Sequence, residues 1–203
     1  MVFGVMRNIV KKTIKRRRFK AIVKFPTFQD VIHADMVGSI QQKKLHIIRH
    51  GKAKSPHQFE NDFDRPLHKT GIVQAHVVAH YLKFHQRNTG IALCSEATRT
   101  KQTFQIVQEI CGIDRCLYQG NLYLASADTL LKAANGLNND YQEALIVGHN
   151  DGLSNFVSRL SGRSIFLQTC DYVELTFEVD SWEVLHWDTG IITDEFRTQL
   201  VDV

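Results

Sequence analysis

No stretch of the chain approaches the roughly 18 consecutive apolar residues that a membrane-spanning helix needs, so no helical crossing of a bilayer is expected. The four cysteines, Cys94, Cys111, Cys116 and Cys170, form no C-x-x-C pair and have no histidines at paired spacing, which supports neither a zinc site nor a disulfide framework. Reduced thiols and a cytoplasmic location are the matching expectation. Proline is scarce, with Pro26, Pro56 and Pro66 alone, and no internal repeat or low-complexity segment is visible outside the first two dozen residues. Acidic residues are missing from one place altogether: residues 1–24 hold nine Lys/Arg and no Asp/Glu. The overall charge of +4 belongs to that segment, because the other 179 residues carry 16 basic and 21 acidic side chains.

What is present is an ordinary globular composition, 43% hydrophobic and 23% charged, in 203 residues that suffice for one substantial core. The chain reads as a basic N-terminal extension over 1–42, partly disordered or helical, followed by one domain over 43–203. Within the extension Val5, Ile9, Val10 and Ile14 recur at roughly helical spacing among lysines and arginines, which suits a weak contact of residues 1–24 with an acidic membrane surface. The uninterrupted apolar core and small-residue cleavage site of a secretory signal are lacking. The plainer reading is a solvated extension, with Met36 opening the domain proper, and no nucleic acid is expected as a partner.

From Lys43 onward, short β-rich runs alternate with helical patterns, the mark of an α/β sandwich with a largely parallel central sheet between two helical layers. The expected strands are 44–48, 91–94, 116–118, 144–147, 172–178 and 182–187. The expected helices are 70–86, with Ile72, Ala75, Val78, Ala79 and Leu82 on one face, 98–111, 127–138 and 150–160. In such sheets ligands bind at the carboxyl ends of the strands. Three of those ends carry chemistry: Arg49-His50-Gly51 after the first strand, Ser95 to Thr100 with Arg99 in the first turn of the next helix, and Gly148-His149-Asn150 at another helix start. Two arginines and two histidines delivered to one place point to phosphoryl chemistry. A neutral imidazole is a competent nucleophile near neutrality, and guanidinium forks match the oxygens of a phosphoryl group.

At these residues the chain resembles the histidine phosphatase superfamily, which includes the phosphoglycerate mutases. Within it the chain looks most similar to the SixA-type phosphohistidine phosphatases, through Arg49-His50-Gly51-Lys52-Ala53, Asp64-Arg65-Pro66-Leu67 with Gly71, Leu122-Tyr123, and Gly148-His149-Asn150. The resemblance covers roughly residues 44–190. It implies a phosphoglycerate mutase-like three-layer α/β/α fold and a phosphatase that works through a phosphohistidine intermediate, with neither metal nor organic cofactor. His50 would be the nucleophile, Arg49, Arg99 and His149 its catalytic partners, and Gly51, Arg65, Ser95 and Asn150 substrate-binding residues.

Gly51 is expected to keep the phosphate uncrowded while its carbonyl holds the His50 tautomer. Ser95 and Asn150 read equally well as helix N-caps, and Asp64-Arg65-Pro66 as a turn. The segment Leu122 to Asp128, where many superfamily members supply a glutamate as general acid, has no Glu and only Asp128, itself suited to a helix start. That favours a phosphorylated protein domain carrying phosphohistidine, whose imidazole leaves easily. The alternatives are a small phosphate ester with Asp128 or solvent as acid, and an inactive phosphate-binding scaffold tethered by its basic arm. His76 and His80 share a helix face but have no third ligand in sequence, so no metal is expected, and the remaining histidines read as structural or surface residues.

Overall fold

The computed structural model describes residues 42–87 and 89–198. The extension over 1–42, its amphipathic stretch and the start at Met36 therefore lie outside the described residues, Gln42 aside. The elements are β1 (Lys43–Arg49), α1 (Lys69–Phe84), β2 (Ile91–Ser95), α2 (Thr98–Cys111), β3 (Cys116–Gln119), α3 (Ala127–Asn135), β4 (Glu143–Gly148), α4 (Gly152–Ser161), β5 (Tyr172–Phe177) and β6 (Ile191–Phe196), with short 3-10 turns between them. The strands form one sheet in the order β3-β2-β4-β1-β5-β6. Strands β1 to β4 pair in parallel, and β5 runs antiparallel to both of its neighbours.

Side-chain alternation along the central strands builds a core on each face of the sheet. Leu45, Ile47, Ile91, Leu93, Ala144 and Ile146 pack with α3 and α4. Ile48, Ala92, Cys94, Leu145 and Val147 point the other way and pack with α1 and α2. The result is the expected three-layer sandwich, and burial on both faces explains why these strands read as continuous apolar runs rather than as alternating ones.

Helix α2 begins and ends where its sequence pattern predicts, closed by Gly112 at a left-handed φ of 75°. Three expectations need correction. The run 182–187 is not a strand: Trp182–Val184 is a 3-10 turn whose Trp182 and Leu185 are buried in the core, and the last strand is Ile191–Phe196. The apolar signal there marked burial without pairing. On α1, Ile72 is 42% exposed, and Gly71 and Gln74 occupy the buried face that its apolar character suggested for it. Helix α3 also stops at Asn135, three residues short of the expected end.

Candidate active site

Sheet register brings the three strand ends level. Arg49 pairs with Gly148 across β1 and β4, and Cys94 with Val147 across β2 and β4, so His50, Ser95 and His149 each follow at the same edge. The segment after His50 then folds back over that edge. Ala53 bridges Leu67, the His68 N–H donates to the Lys52 carbonyl at 2.8 Å, and the Leu67 N–H donates to Gln102 of α2 at 2.7 Å. This return places the 3-10 turn Asp62–Asp64, capped by Asn61, and Arg65 above the strand ends. The cleft so enclosed, about 480 Å³, is lined by Arg49, His50, Lys52, Asp62, Arg65, Arg99, His149 and Asn150 among others.

His50 is fixed at both ring nitrogens. Its Nδ1 lies 2.7 Å from the Gly51 carbonyl oxygen, and its Nε2 lies 3.2 Å from Nε of Arg99. A guanidinium can only donate, so Nε2 is the acceptor and Nδ1 carries the proton that goes to Gly51. Burial, with the nearby Arg99, Arg49 and Arg65 charges, lowers the His50 pKa to about 3 against the opposing bond to Gly51. The imidazole is therefore neutral near pH 7, with its Nε2 lone pair among arginines.

His149 stands edge-on to His50, with ring centroids 5.1 Å apart, and its Nε2 lies 2.8 Å from Ser95 Oγ. Burial, then His50 and Arg99, lower its pKa to about 2. Arg49 donates from Nη1 to the Leu167 carbonyl at 2.8 Å. Burial lowers its pKa, with Asp151 and Asp171 opposing. Two buried polar atoms here have no protein partner, Arg49 Nε and His149 Nδ1. Orphaned buried polar groups are costly, and their convergence on a cleft is what a polar ligand requires.

Asp62 was not singled out by sequence reasoning, yet it organises the clamp. Its Oδ2 accepts from Arg99 Nη2 at 2.9 Å and from the Tyr123 hydroxyl at 2.7 Å, its Oδ1 pairs with Arg65, and its carbonyl accepts from Arg99 Nη1 at 2.6 Å. Partial burial works to raise its pKa, but the Tyr123 hydroxyl, Arg65 and Arg99 outweigh that and hold the carboxyl well below the usual carboxylate range. Tyr123 also lies under the Arg99 guanidinium and against His149. The available signal was an aspartate three residues before Arg65 in a turn-forming segment, which by itself reads as a local ion pair.

Other expected site residues take different places. Arg65 lines the cleft, and its Nε donates to the Lys54 carbonyl at 2.9 Å. Ser95 is fully buried and acts on His149, and the N-cap of α2 is Ala97, so Ser95 is not that cap. Asn150 lines the cleft and donates to the Leu167 carbonyl at 2.8 Å, while the N-cap position of α4 falls to Asp151. Gly51 makes the expected carbonyl contact with His50 and has a further reason to be glycine. A Cβ there would meet the Gly71 carbonyl oxygen at 2.6 Å, so the residue permits the close approach of two backbones. Asp128 is not in the cleft: it pairs with Arg159 at 2.9 Å on the surface of a neighbouring hollow. Among the described residues no group of three His, Cys, Asp or Glu is placed to hold a metal, and no helix is long and apolar enough to cross a membrane.

Comparison with known proteins agrees with this geometry. Residues 45–122 match the model of the histidine phosphatase superfamily (branch 1). An uncharacterized chloroplastic protein of Arabidopsis thaliana is 29% identical over 154 residues, covering 70% of this chain and 69% of that protein. A solved structure from Nakamurella multipartitia, named for phosphohistidine phosphatase SixA, superposes with a TM-score of 0.69 at 21% identity, covering 77% of this chain and 96% of its own. The protein histidine phosphatase SixA complexed with tungstate superposes with a TM-score of 0.66 at 19% identity, covering 76% and 96%. These two likenesses are ones of fold. Over residues 45–122 the chain is similar to the histidine phosphatase superfamily, and its fold is the one these two structures share.

Proposed function

We propose that this enzyme hydrolyses phosphohistidine on a partner protein, with His50 as nucleophile. The observation that carries the substrate choice is the state of Asp62. It is the one carboxylate among the described residues lining the cleft, and two arginines and a tyrosine hold it ionised. An ionised carboxylate is no proton donor, so a leaving group that departs without an enzyme acid fits this cleft best. The imidazole of phosphohistidine is such a group, and an alkoxide is not.

The cleft is charged for a phosphoryl group, with Arg49, Lys52, Arg65 and Arg99 against Asp62 alone. A phosphoryl oxygen that accepts the Arg99 Nε–H releases the lone pair on His50 Nε2. Attack of that lone pair on phosphorus forms the new P–N bond as the substrate's P–N bond breaks, and the departing imidazole leaves neutral with the proton on its other nitrogen. Water then attacks phosphorylated His50, orthophosphate is released, and Nε2 regains its lone pair. Arg49 Nε meets a phosphoryl oxygen directly. Ser95 Oγ, 2.8 Å from His149 Nε2, fixes the orientation of that ring, whose Nδ1 has no protein partner. These donors stand where charge develops in the transition state, the condition under which they speed the chemical step.

The test is to mix the enzyme with a histidine-phosphorylated protein domain carrying labelled phosphate and to quench early. Acid-labile label on His50, absent from His50→Ala, is the expected result. Turnover of p-nitrophenyl phosphate or sugar phosphates with none of the phosphorylated domain would overturn the substrate, and hydrolysis retained by His50→Ala would overturn the mechanism.

A further inference from the structure

The concave surface does not end at the cleft. Leu124 is a wall shared with a second hollow of about 500 Å³, and that hollow shares Asp151, Asn155, Ser158 and Arg159 with a third of about 680 Å³ that reaches Phe166. The four shared residues follow one another at i, i+4, i+7 and i+8, which is one face of a helix. They begin at the α4 N-cap, next to cleft residue Asn150, and run toward the far end of α4. From Asp151 to Arg159 this floor is about 12 Å long, at about 1.5 Å per helical residue.

The two ends of the groove carry large apolar side chains in water, Leu124 at 56% exposure and Phe166 at 63%. Leu124 is held at a φ of 48°, in a left-handed region that bulky residues seldom enter and that here coincides with an outward-facing side chain. Between the two ends the floor offers the Asn155 amide and the Asp151 side chain, the Ser158 hydroxyl is taken up by Ser154 and Ile165, and Arg159 is neutralised by Asp128 at 2.9 Å. Apolar anchors separated by hydrogen-bonding side chains, with Asp151 and Asn155 able to meet backbone amides, suit a polypeptide. About 12 Å corresponds to three or four extended residues at about 3.3 Å each, beyond the reach of a phosphoryl group or a small ester.

Resting on the phosphohistidine reading above, we propose that the groove along α4, from Leu124 to Phe166, receives the polypeptide segment that bears the phosphohistidine. Leu124 and Phe166 grip it by apolar contact while the phosphoryl group sits against His50. The groove sets affinity for the protein substrate and takes no part in the chemistry.

Two variants test this away from the catalytic residues: Phe166→Ser removes an anchor, and Asn155→Arg blocks the floor. Each is expected to raise KM for a histidine-phosphorylated domain about tenfold, the effect of losing one good apolar anchor, with kcat and the hydrolysis of free phosphohistidine unchanged. An unchanged KM in both variants, or an equal loss on free phosphohistidine, would overturn the proposal. A change of oligomeric state in either variant by light scattering would assign the groove to a second copy of this chain and equally overturn it. If the unsubstituted enzyme hydrolyses free phosphohistidine but not the domain, the protein-substrate reading itself fails. If it hydrolyses both and the variants match it, the groove alone is wrong.

Discussion

His46 and His50 lie four residues apart along and just beyond β1, both buried, and their surroundings are opposite in kind. His46 sits among oxygens. Its Nδ1 lies 2.8 Å from the Tyr172 hydroxyl and its Nε2 3.0 Å from Glu143, with Glu174 at 3.7 Å. Glu174 is in turn paired with Arg87 at 3.1 Å, and Arg87 with Asp194 at 2.7 Å. His50 sits among cations, beside a histidine and an arginine that each keep one buried nitrogen without a protein partner. The first cluster spends its hydrogen-bonding capacity on joining β1, β4, β5 and β6, with Arg87 Nε the one buried polar atom of this cluster left without a protein partner. The second holds capacity back, which costs stability and prepares the site for an anion.

The strongest way to break this comparison is to exchange the histidines one at a time. His50→Ala is expected to lower turnover of a phosphohistidine substrate by on the order of 10⁴-fold or more, as loss of a nucleophile does elsewhere. A smaller loss in single-turnover measurements would place the nucleophile in another residue. Next in size is the clamp. Arg99→Ala should cost about 10²- to 10³-fold in kcat. Arg99→Lys should not restore it, because Nε, Nη1 and Nη2 all bond in fixed directions that an ammonium cannot reproduce. Rescue by lysine would reduce the clamp to simple charge.

Acid sharpens the contrast in stability. The pKa values of His50 and His149 are lowered to about 3 and about 2, so below pH 6.5 the unfolded chain takes up protons that the folded one refuses. Stability therefore falls as pH drops from about 6.5 toward 3, by about 2 kcal/mol for each of these histidines at pH 5. Urea unfolding at pH 7 and pH 5 measures this. The double substitution His50→Asn, His149→Asn should remove most of that pH dependence, and an identical fall in the variant would show that other groups carry it. The smallest effect belongs to the paired cluster. His46→Ala should destabilise by about 1–3 kcal/mol, since it takes a buried hydrogen-bond partner from both the Tyr172 hydroxyl and Glu143, with kcat unchanged. A lowered kcat would mean that the two clusters are coupled through β1.

Much of this was legible in the residues. The central strands and α2 carry dense apolar patterns whose period is dictated by burial on both sheet faces, and Arg49, His50, Arg99 and His149 follow directly from strand or helix boundaries. The misread run at 182–187 shows the limit of such patterns: Trp182 and Leu185 are buried, but beneath a turn, while the true last strand, with its exposed Ile191 and acidic Asp194 and Glu195, pairs at an edge. Asp62 was hidden for another reason. It stands 37 residues from Arg99, and only the return of the 52–67 segment brings the two together.

Local sequence thus decides which residues end the strands, and with them the proposed nucleophile and two of the arginines, because a strand's length and direction follow from its own apolar period. It does not decide which groups are left unpaired. That Nε2 of His50 accepts from Arg99, that Asp62 stays ionised between two arginines, and that Arg49 and His149 each keep a buried nitrogen for something else are products of packing distant segments together. Pairing is a property of space rather than of order along the chain.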